Sequence, residues 1–525
     1  MKLFLVVLTC CLYMEVSSQP SWTWANSYGE VSYNEYTKAM CTDANGTSYI
    51  TGTFMDSIIF GNDTLTGPGG GTFLTKIDSS GNPLWAIMPP GQNALEINSM
   101  CLDDSGNVYL AGALNHNIFL GKFDSNGNLI WTQHATGIQN VAYGVAVNNN
   151  SEVYITGMYD SSVTIGATFL QGGLGNNIFI AKYGRNGNSL WAETSTSSTI
   201  VKVNGITCDR FDHVCITGYF GNSITFGSLT LARPFNGGVA VLMVKFDRMG
   251  NALWAKQSGG FPSSGYARCI SSDSFGNFYC AGYFDSPIMI FGNDTLTNAG
   301  YNDLFIAKYD STGDLTWVQR AGGPDYDDAN AIIADNAGNI YMTGFFRGFI
   351  SFGSTFLNGP IQEVYVAKYD MNGNPLWATS ATGTIQETGN AIGVDSSNNV
   401  YVAGNFTSPT TTFGTHVITN TDPWTGSYDI FFARLGETPT SVFGLDYSTK
   451  ERLLIYPNPC SGIFRIVNDF VANSVLRIYD VQGRMINEVA LNHDRIVDLK
   501  NISQGIYLVQ LTSRNEILNC KLVIQ

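Results

Sequence analysis

An all-β fold is predicted for this chain, a seven-bladed β-propeller followed by a small C-terminal Ig-like β-sandwich. Three observations predict it. Tryptophans recur at Trp24, Trp85, Trp131, Trp191, Trp254, Trp317 and Trp377, at intervals of 61, 46, 60, 63, 63 and 60 residues. Two hairpin signatures recur with them, each centred on Asp-x-x-Gly-Asn between apolar runs. Glycine is abundant, 57 of 525 residues or about 11% against a typical ~7%, and aromatics reach 13%, as many short strands joined by tight turns require. Only 13% of residues are charged and the formal net charge is −15, which excludes a coiled coil, a disordered polar chain and a nucleic-acid partner.

The chain starts with a targeting pattern. Lys2 precedes the apolar run Leu3 to Tyr13, too short to span a bilayer, and Val16 and Ser18 form a small-residue cleavage pattern before Gln19. Residues 1–18 are therefore expected to be a removed signal peptide. No later stretch approaches the ~18 apolar residues of a membrane helix, so no transmembrane segment is expected.

The repeat occupies residues 19–437. One hairpin half reads FIAKYDSTGDLTW (305–317) or YVAKYDMNGNPLW (365–377), and the other DDSGNVYLAG (103–112) or DSFGNFYCAG (273–282). Asp caps such a turn through its side chain and Gly takes the left-handed position, so each repeat reads as four strands. Four strands per unit at a fixed period indicate propeller blades. The period exceeds the ~40–50 residues usual for a blade, and the excess lies in a loop between strands two and three that carries Phe-Gly, as at Phe60-Gly61, Phe291-Gly292 and Phe352-Gly353. The seventh repeat ends at FFARLGE (431–437) without its last strand, while PSWTWANSYG (20–29) is a last strand without its repeat. Residues 20–28 are therefore expected to pair with 430–435 and close the ring, which removes two open sheet edges. The recurrent Lys (76, 122, 182, 245, 308 and 368, with Arg434 in the seventh copy) is read as packing its stem along the blade while its amine reaches turn carbonyls or Asp carboxylates.

Composition shifts after residue 437. Residues 438–450 read as a linker and 451–525 as a second domain. Residues 440–525 hold 9 basic and 8 acidic residues, against 18 and 34 in the remainder, so the acidity belongs to the propeller. Strand patterns at LLIYPNP (453–459), GIFRIV (462–467), SVLRIYDVQGRMI (474–486), DLKNISQGIYLVQL (498–511) and CKLVIQ (520–525) suit a small sandwich.

At these residues the chain resembles a known family. YPNPCSGIFRI, LRIYDVQGRMI, LKNISQGIYLVQL and the terminal KLVIQ are similar to the type A C-terminal sorting domain of Bacteroidota type IX secretion. The matching positions are Tyr456, Pro457, Asn458, Pro459, Gly462, Tyr479, Asp480, Gly483, Arg484, Gly505, Tyr507 and Lys521; Cys460 departs from the pattern. The resemblance implies Sec export, engagement of the type IX machinery as partner, and a secreted or outer-surface location. More loosely, residues 30–435 resemble SBBP-type secreted propeller repeats, which implies a fold and not an activity.

Chemistry-bearing constellations are sparse. Histidines 116, 134, 213, 416 and 493 neither cluster nor recur at one repeat position, so no metal site or triad is assembled, and no cofactor motif occurs. Acidic residues precede the first strand of several repeats, Glu35, Glu96, Asp327, Asp328 and Glu387, and form a candidate ligand rim, although such residues more often make a solvated rim, which is the reading expected here. Cys269 with Cys280, and Cys460 with Cys520, are candidate disulfides beside the alternative of buried free thiols. The reading that follows is a secreted binding or adhesion scaffold for an extracellular glycan or protein, its ligand met by the long loops between strands two and three. The rival readings are an extracellular carbohydrate-active enzyme using the acidic rim, and a structural surface or matrix component.

Overall fold

In a computed structural model, the described residues are 19–30, 34–91, 94–197, 200–233, 237–259, 264–422 and 426–436 of the repeat region. In the C-terminal region they are 455–456, 460, 463–466, 474–479, 485–491, 496–499, 502–503, 505–512 and 517–524. The expected signal peptide and linker lie outside them. The described residues contain strands and no helix, and so none long and apolar enough to cross a membrane. The chain divides into two compact units, Met1–Glu437 and Thr438–Gln525.

The first unit is a β-propeller. Its described residues form seven antiparallel groups of four strands, in chain order within residues 36–87, 95–134, 136–197, 201–258, 265–321, 327–380 and 387–436, here blades 1 to 7; six are separate four-stranded sheets, and the third is extended to six strands by Ser223–Phe226 and Leu229–Ala232. The fourth strand of blade 7 is Ser21–Tyr28, which pairs with Asp429–Gly436 from Ser21↔Gly436 to Tyr28↔Ile430. The first strand of each blade lies beside the first strands of its two neighbours, and Tyr36–Thr42 of blade 1 lies beside Glu387–Val394 of blade 7.

One register runs through all the blades. The recurrent Lys sits opposite Trp, as in Lys76↔Trp85, Lys308↔Trp317 and Lys368↔Trp377, and Arg434↔Trp24 repeats it at the joint with the N-terminal strand. On its other side Lys faces Tyr, as in Tyr109↔Lys122 and Tyr279↔Lys308, with its ammonium 4.8 and 5.2 Å from the ring centres, except in blade 4, where Lys245 faces Cys215. The amine then reaches the next blade's turn: Lys76 Nζ donates to Ser125 O (3.0 Å), Lys245 Nζ to Ser311 O (3.1 Å) and Lys308 Nζ to Met371 O (2.9 Å). Cation–π contact and carbonyl acceptance together hold a charge that burial alone would penalise.

The tryptophans stitch the same seams. Trp Nε1 donates to the next blade's turn carbonyl in six places, among them Trp24 to Ser79 O (3.2 Å), Trp191 to Arg248 O (3.0 Å) and Trp317 to Met371 O (3.1 Å). The turn glycine meets that ring face-on: a Cβ at Gly313, where φ is +87°, would lie 2.8 Å from the Trp254 ring. That position needs glycine for its left-handed backbone and for its lack of bulk.

The segment between strands two and three is a second hairpin rather than the expected loop. Its Phe-Gly forms the tip, with φ near +60° at Gly61, Gly166, Gly227, Gly292, Gly353 and Gly414. In blades 1, 3 and 6 the strands run through it unbroken, as in Ile340–Phe352 with Thr355–Tyr369, and in blades 4, 5 and 7 it is a separate pair such as Ile288–Phe291 with Asp294–Thr297. It also latches onto the preceding blade, by Ser195↔Phe226, Gly259↔Ile290, Gly322↔Ser351 and Thr382↔Thr412. Pairing with the neighbouring outer strand satisfies backbone groups that a free loop would present to water.

The second unit contains a three-stranded sheet (Ile455–Tyr456, Ile463–Ile466, Ile496–Asp498) and a four-stranded one (Met485–Leu491, Ser474–Tyr479, Gly505–Thr512, Ile517–Ile524). Both contribute to one apolar cluster that includes Phe464, Ile466, Leu476, Ile478, Val509 and Leu522.

Cysteines 41, 101, 208, 215, 269, 280 and 460 are free thiols. Cys269 and Cys280 are not bonded because Cys280 pairs with Ile270 while Cys269 pairs with Ala281. Side chains one register step apart point to opposite faces of a sheet: Cys280 enters the cluster with Phe278 and Phe305, Cys269 the one with Tyr279 and Ala329. Cys460 is likewise a free, buried thiol, so it forms no bond to Cys520.

Candidate functional site

The two ends of the propeller handle buried acids differently. At the turn end each acid is matched by donors. Asp273 Oδ1 accepts Phe275 N–H (2.8 Å) and Asn277 N–H (2.9 Å), and its Oδ2 accepts Asn277 Nδ2 (2.7 Å) and Tyr279 Oη (2.8 Å). Burial raises the Asp103 carboxyl, but Asn107, Tyr109 and the Lys122 amine outweigh it and hold the group below the ordinary carboxylate range.

At the other end, where the first strand of each blade begins, acids meet acids. Of the predicted rim, Glu35, Asp327 and Glu387 are fully buried and Asp328 nearly so, while only Glu96 is exposed. This set is therefore not the expected solvated rim. Each fully buried member faces a partner on the third strand of the preceding blade: Asp327 with Asp303, Glu387 with Glu363, Glu35 with Asp429. Backbone contacts tie the same seams, through Asp327 N–H to Asn302 O (3.0 Å), Glu35 N–H to Tyr428 O (2.8 Å) and a parallel bridge Gln362↔Gln386. The three partners escaped the sequence reading, yet a signal was present: each stands five residues before the recurrent Lys308, Lys368 or Arg434, where blades 1 to 4 have Gly71, Asn117, Asn177 and Ala240.

Electrostatics follow from the geometry. Burial, then the Asp429 carboxylate, pushes Glu35 up to about 8. Burial, opposed by Gly323 N–H (2.7 Å to Oδ2) and reinforced by Asp303, pushes Asp327 to about 8. Burial and Glu387 put Glu363 near 8, and burial puts Glu387 near 7 against the hydroxyls of Ser408 and Thr411. Burial raises Asp328 to about 6 against its ion pair with Arg268 (3.2 Å). A carboxyl that no solvent or solute reaches cannot touch a substrate, so these groups as placed do not form the acid–base pair of a glycosidase.

The accessible chemistry at this end is aromatic. Tyr301 and Tyr326 stack in parallel, centroids 4.8 Å apart and planes 12° apart, and remain 62% and 39% exposed. Arg347 lies over Tyr326, 5.6 Å from the ring centre. Phe349 and Phe356, also exposed, stack at 5.6 Å on the latch of blade 6. On the first and second strands of blades 4 and 5, half-buried Tyr219, Tyr266 and Tyr283 form a second group, with Arg268 above Tyr283 at 5.1 Å. Elsewhere, Thr66–Pro68 and Met88–Gly91 line an open depression of about 660 Å³ in blade 1. Among the described residues no group of three or more His, Cys, Asp or Glu has its side chains set as a metal cage.

In the second unit, Tyr456 pairs with Arg465, Tyr479 ends its strand opposite Leu508, and Lys521 pairs with Leu508 in the last strand. Tyr507 is buried, and its hydroxyl donates to Ser503 O (2.7 Å). Pro457, Asn458, Pro459, Gly462, Asp480, Gly483 and Arg484 lie outside the described residues.

Comparison with known proteins decides the nature of this second unit. Residues 454–525 match the family described as secretion system C-terminal sorting domain. This tail is a sorting domain. It implies export by type IX secretion to the cell surface or the medium. Within the propeller, residues 316–344 match the SBBP beta-propeller repeat. A curated relative, an uncharacterized WD repeat-containing protein, L264, of Acanthamoeba polyphaga mimivirus, is 24% identical over 375 residues, 56% of this chain and 27% of the relative. Regulatory protein FlaEY of Caulobacter vibrioides is 29% identical over 116 residues, 21% of this chain and 12% of the relative. The chain thus spans about a quarter or less of the length of these relatives. Among solved structures, a protein from Lactobacillus plantarum aligns with a TM-score of 0.34 at 10% identity, over 82% of this chain and 95% of that one. A prolyl endopeptidase aligns with a TM-score of 0.37 at 10% identity, over 93% of this chain and 55% of that one.

Proposed function

We propose that the chain is a secreted or cell-surface propeller acting as a binding or adhesion scaffold for extracellular glycans. In this reading residues 1–18 are a removed signal peptide, residues 19–437 are the passenger, and residues 451–525 carry the export address. The supporting observation is the exposed Tyr301–Tyr326 stack with Arg347 beside it. Exposed aromatic faces on a rigid ring suit the apolar faces of sugar rings, and clustered exposed aromatics mark interaction surfaces. The Phe-Gly hairpins carry less of this role than the sequence reading assigned to them, because they are paired to neighbouring blades. The catalytic alternative loses support because three of its five carboxylates are fully buried.

The test is calorimetry of the purified chain against a panel of polysaccharides, with products followed by chromatography. Saturable binding without products, lost in a Tyr301→Ala/Tyr326→Ala double variant, is the expected result. Release of products overturns the scaffold reading in favour of an enzyme. For the tail, Tyr456, Pro457, Asn458, Pro459, Gly462, Tyr479, Asp480, Gly483, Arg484, Gly505, Tyr507 and Lys521 are assigned to the sorting signal. Deletion of residues 454–525 is expected to retain the passenger in the periplasm, and undiminished export of the truncated chain would refute the assignment.

A further inference from the structure

The seven first strands form a closed circle, each beside the first strands of both neighbours, and therefore surround the axis of the ring. All carry a β-bulge at one equivalent position near the strand start, at Lys38, Asn98, Tyr143, Asn204, Arg268, Asn330 and Asn390 in blades 1 to 7. The asparagines clip the next blade. Asn98 Nδ2 donates to Ala142 O (3.1 Å), Asn204 Nδ2 to Ala267 O (2.7 Å), Asn330 Nδ2 to Gly389 O (2.9 Å) and Asn390 Nδ2 to Thr37 O (3.1 Å). Lys38, Tyr143 and Arg268 give that clip up. Bulges re-aim side chains, and breaks in a repeated local rule concentrate at functional positions.

Two of these departures, Tyr143 in blade 3 and Arg268 in blade 5, flank Lys202 in the first strand of blade 4. Lys202 Nζ lies 5.3 Å from the Tyr143 ring centre. Arg268 lies 5.1 Å over Tyr283 and pairs with Asp328 at 3.2 Å. Tyr266 stacks on Tyr283 at 4.8 Å and meets Tyr219 edge-on at 5.1 Å. Lys202 and the four tyrosines are half-buried, and the Arg268 side chain is 40% exposed. Among the described residues none of the four hydroxyls has a hydrogen-bond partner, and Lys202 has no acidic one. The charged group acting on Lys202 is Arg268; burial and that like charge hold its ammonium below the ordinary lysine range. Of the carboxylates at hand, Asp328 is taken by Arg268, while Glu96 and Asp285 act on Tyr143 and Tyr283. Two half-shielded cations side by side, one without a counter-charge, are costly until an anion enters.

We propose that this cluster binds an acidic sugar, a uronate residue of a polysaccharide, with Lys202 and Arg268 holding its carboxylate and Tyr143, Tyr219, Tyr266 and Tyr283 meeting its ring and hydroxyls. A guanidinium carries five N–H donors, so pairing with Asp328 leaves Arg268 donors for a second carboxylate. A tyrosine offers an apolar face to a sugar ring and a hydroxyl to its polar edge, and here those hydroxyls are unspent. A simple inorganic anion would engage the two cations and leave the four tyrosines without a role. The sugar half of the proposal rests on the glycan reading above; the anionic half rests on Lys202 and Arg268. The residues differ from the Tyr301–Tyr326 stack, so the two sites fail separately.

The experiment is calorimetry of the purified full chain with trigalacturonate as the probe and galactotriose as its neutral counterpart. Saturable binding of trigalacturonate is expected, weakened by salt and at least about tenfold tighter than that of galactotriose, the scale of one charge-assisted contact. Lys202→Gln is expected to remove that advantage, while Lys202→Arg and the Tyr301→Ala/Tyr326→Ala double variant keep it. Lys202→Gln also removes a like charge beside Arg268, so it is expected to melt no lower than wild type, which separates loss of the site from loss of the fold. No trigalacturonate binding at millimolar concentration overturns the proposal. So does undiminished binding in Lys202→Gln, and so does equal binding of the two trisaccharides. Sodium acetate binding as tightly as trigalacturonate assigns the cluster to simple anions and overturns it too. Neutral glycans bound through Tyr301 and Tyr326 alone keep the scaffold reading while this site fails. Trigalacturonate bound through Lys202 keeps this site even where the Tyr301 surface binds nothing.

Discussion

The turn end and the strand-start end of the propeller bury carboxylates at similar depth and reach opposite electrostatic solutions. At the turns, Asp103 and Asp273 collect backbone N–H groups, an Asn side chain and a Tyr hydroxyl. At the strand starts, Glu35 and Glu363 face further carboxylates and are pushed toward the neutral form. The difference teaches that burial does not decide whether an acid is charged; the donors around it do. The turn end stitches every blade by the same rule, whereas the strand-start end varies its rule from seam to seam.

The largest expected effect breaks the turn end. Trp254→Ala removes a ring packed on Gly313 and its hydrogen bond to Ser311 O. A loss of roughly 3–5 kcal/mol is expected by denaturant unfolding, the usual range for a buried aromatic cut to Ala. Asp273→Ala comes next. It orphans two backbone N–H groups and the Tyr279 hydroxyl, for about 2–3 kcal/mol at the scale of charge-assisted hydrogen bonds.

The strand-start end is tested by pH. Glu363 and Glu387 are raised from 4.5 to about 8 and about 7, so between those limits the folded state binds more protons than the unfolded one. Stability is then greatest below the ordinary carboxylate range and falls as pH rises through 7 to 8. Among the described residues the charged group acting on each is the other, beside Gly383 N–H and the hydroxyls of Ser408 and Thr411. A Glu363→Gln/Glu387→Gln double variant is expected to flatten the pH dependence of the unfolding midpoint, and an unchanged slope would place the titration elsewhere. The smallest effect is a null one. Because the described cysteines of the propeller are free, a reductant is expected to leave its melting temperature unchanged.

The turn end was readable because its physics is local. Asp-x-x-Gly-Asn caps itself within five residues, and alternation places Lys opposite Trp once the turn is set. The strand-start end was readable only in part. Glu35, Asp327 and Glu387 stood out as acids at one repeat position, but their exposure was misjudged because each partner lies at least 24 positions away along the chain or, for Glu35 and Asp429, at its opposite end. The Phe-Gly segments looked like loops, although each is a hairpin, and the strand that latches those of blades 4 to 7 belongs to the preceding blade. Cys269 and Cys280 looked like partners because spacing across a turn does not reveal which face of the sheet each side chain takes.

By itself, then, the sequence determined what short-range chemistry controls: the all-β class, the turn positions, the Lys–Trp ladder and the sorting motif with its contiguous strands. The tertiary structure alone decided which acids share a seam, which of them meet an arginine, and which hairpin latches which blade. Those contacts join residues distant in sequence, and their energies depend on the water and donors that the assembled blades exclude or supply.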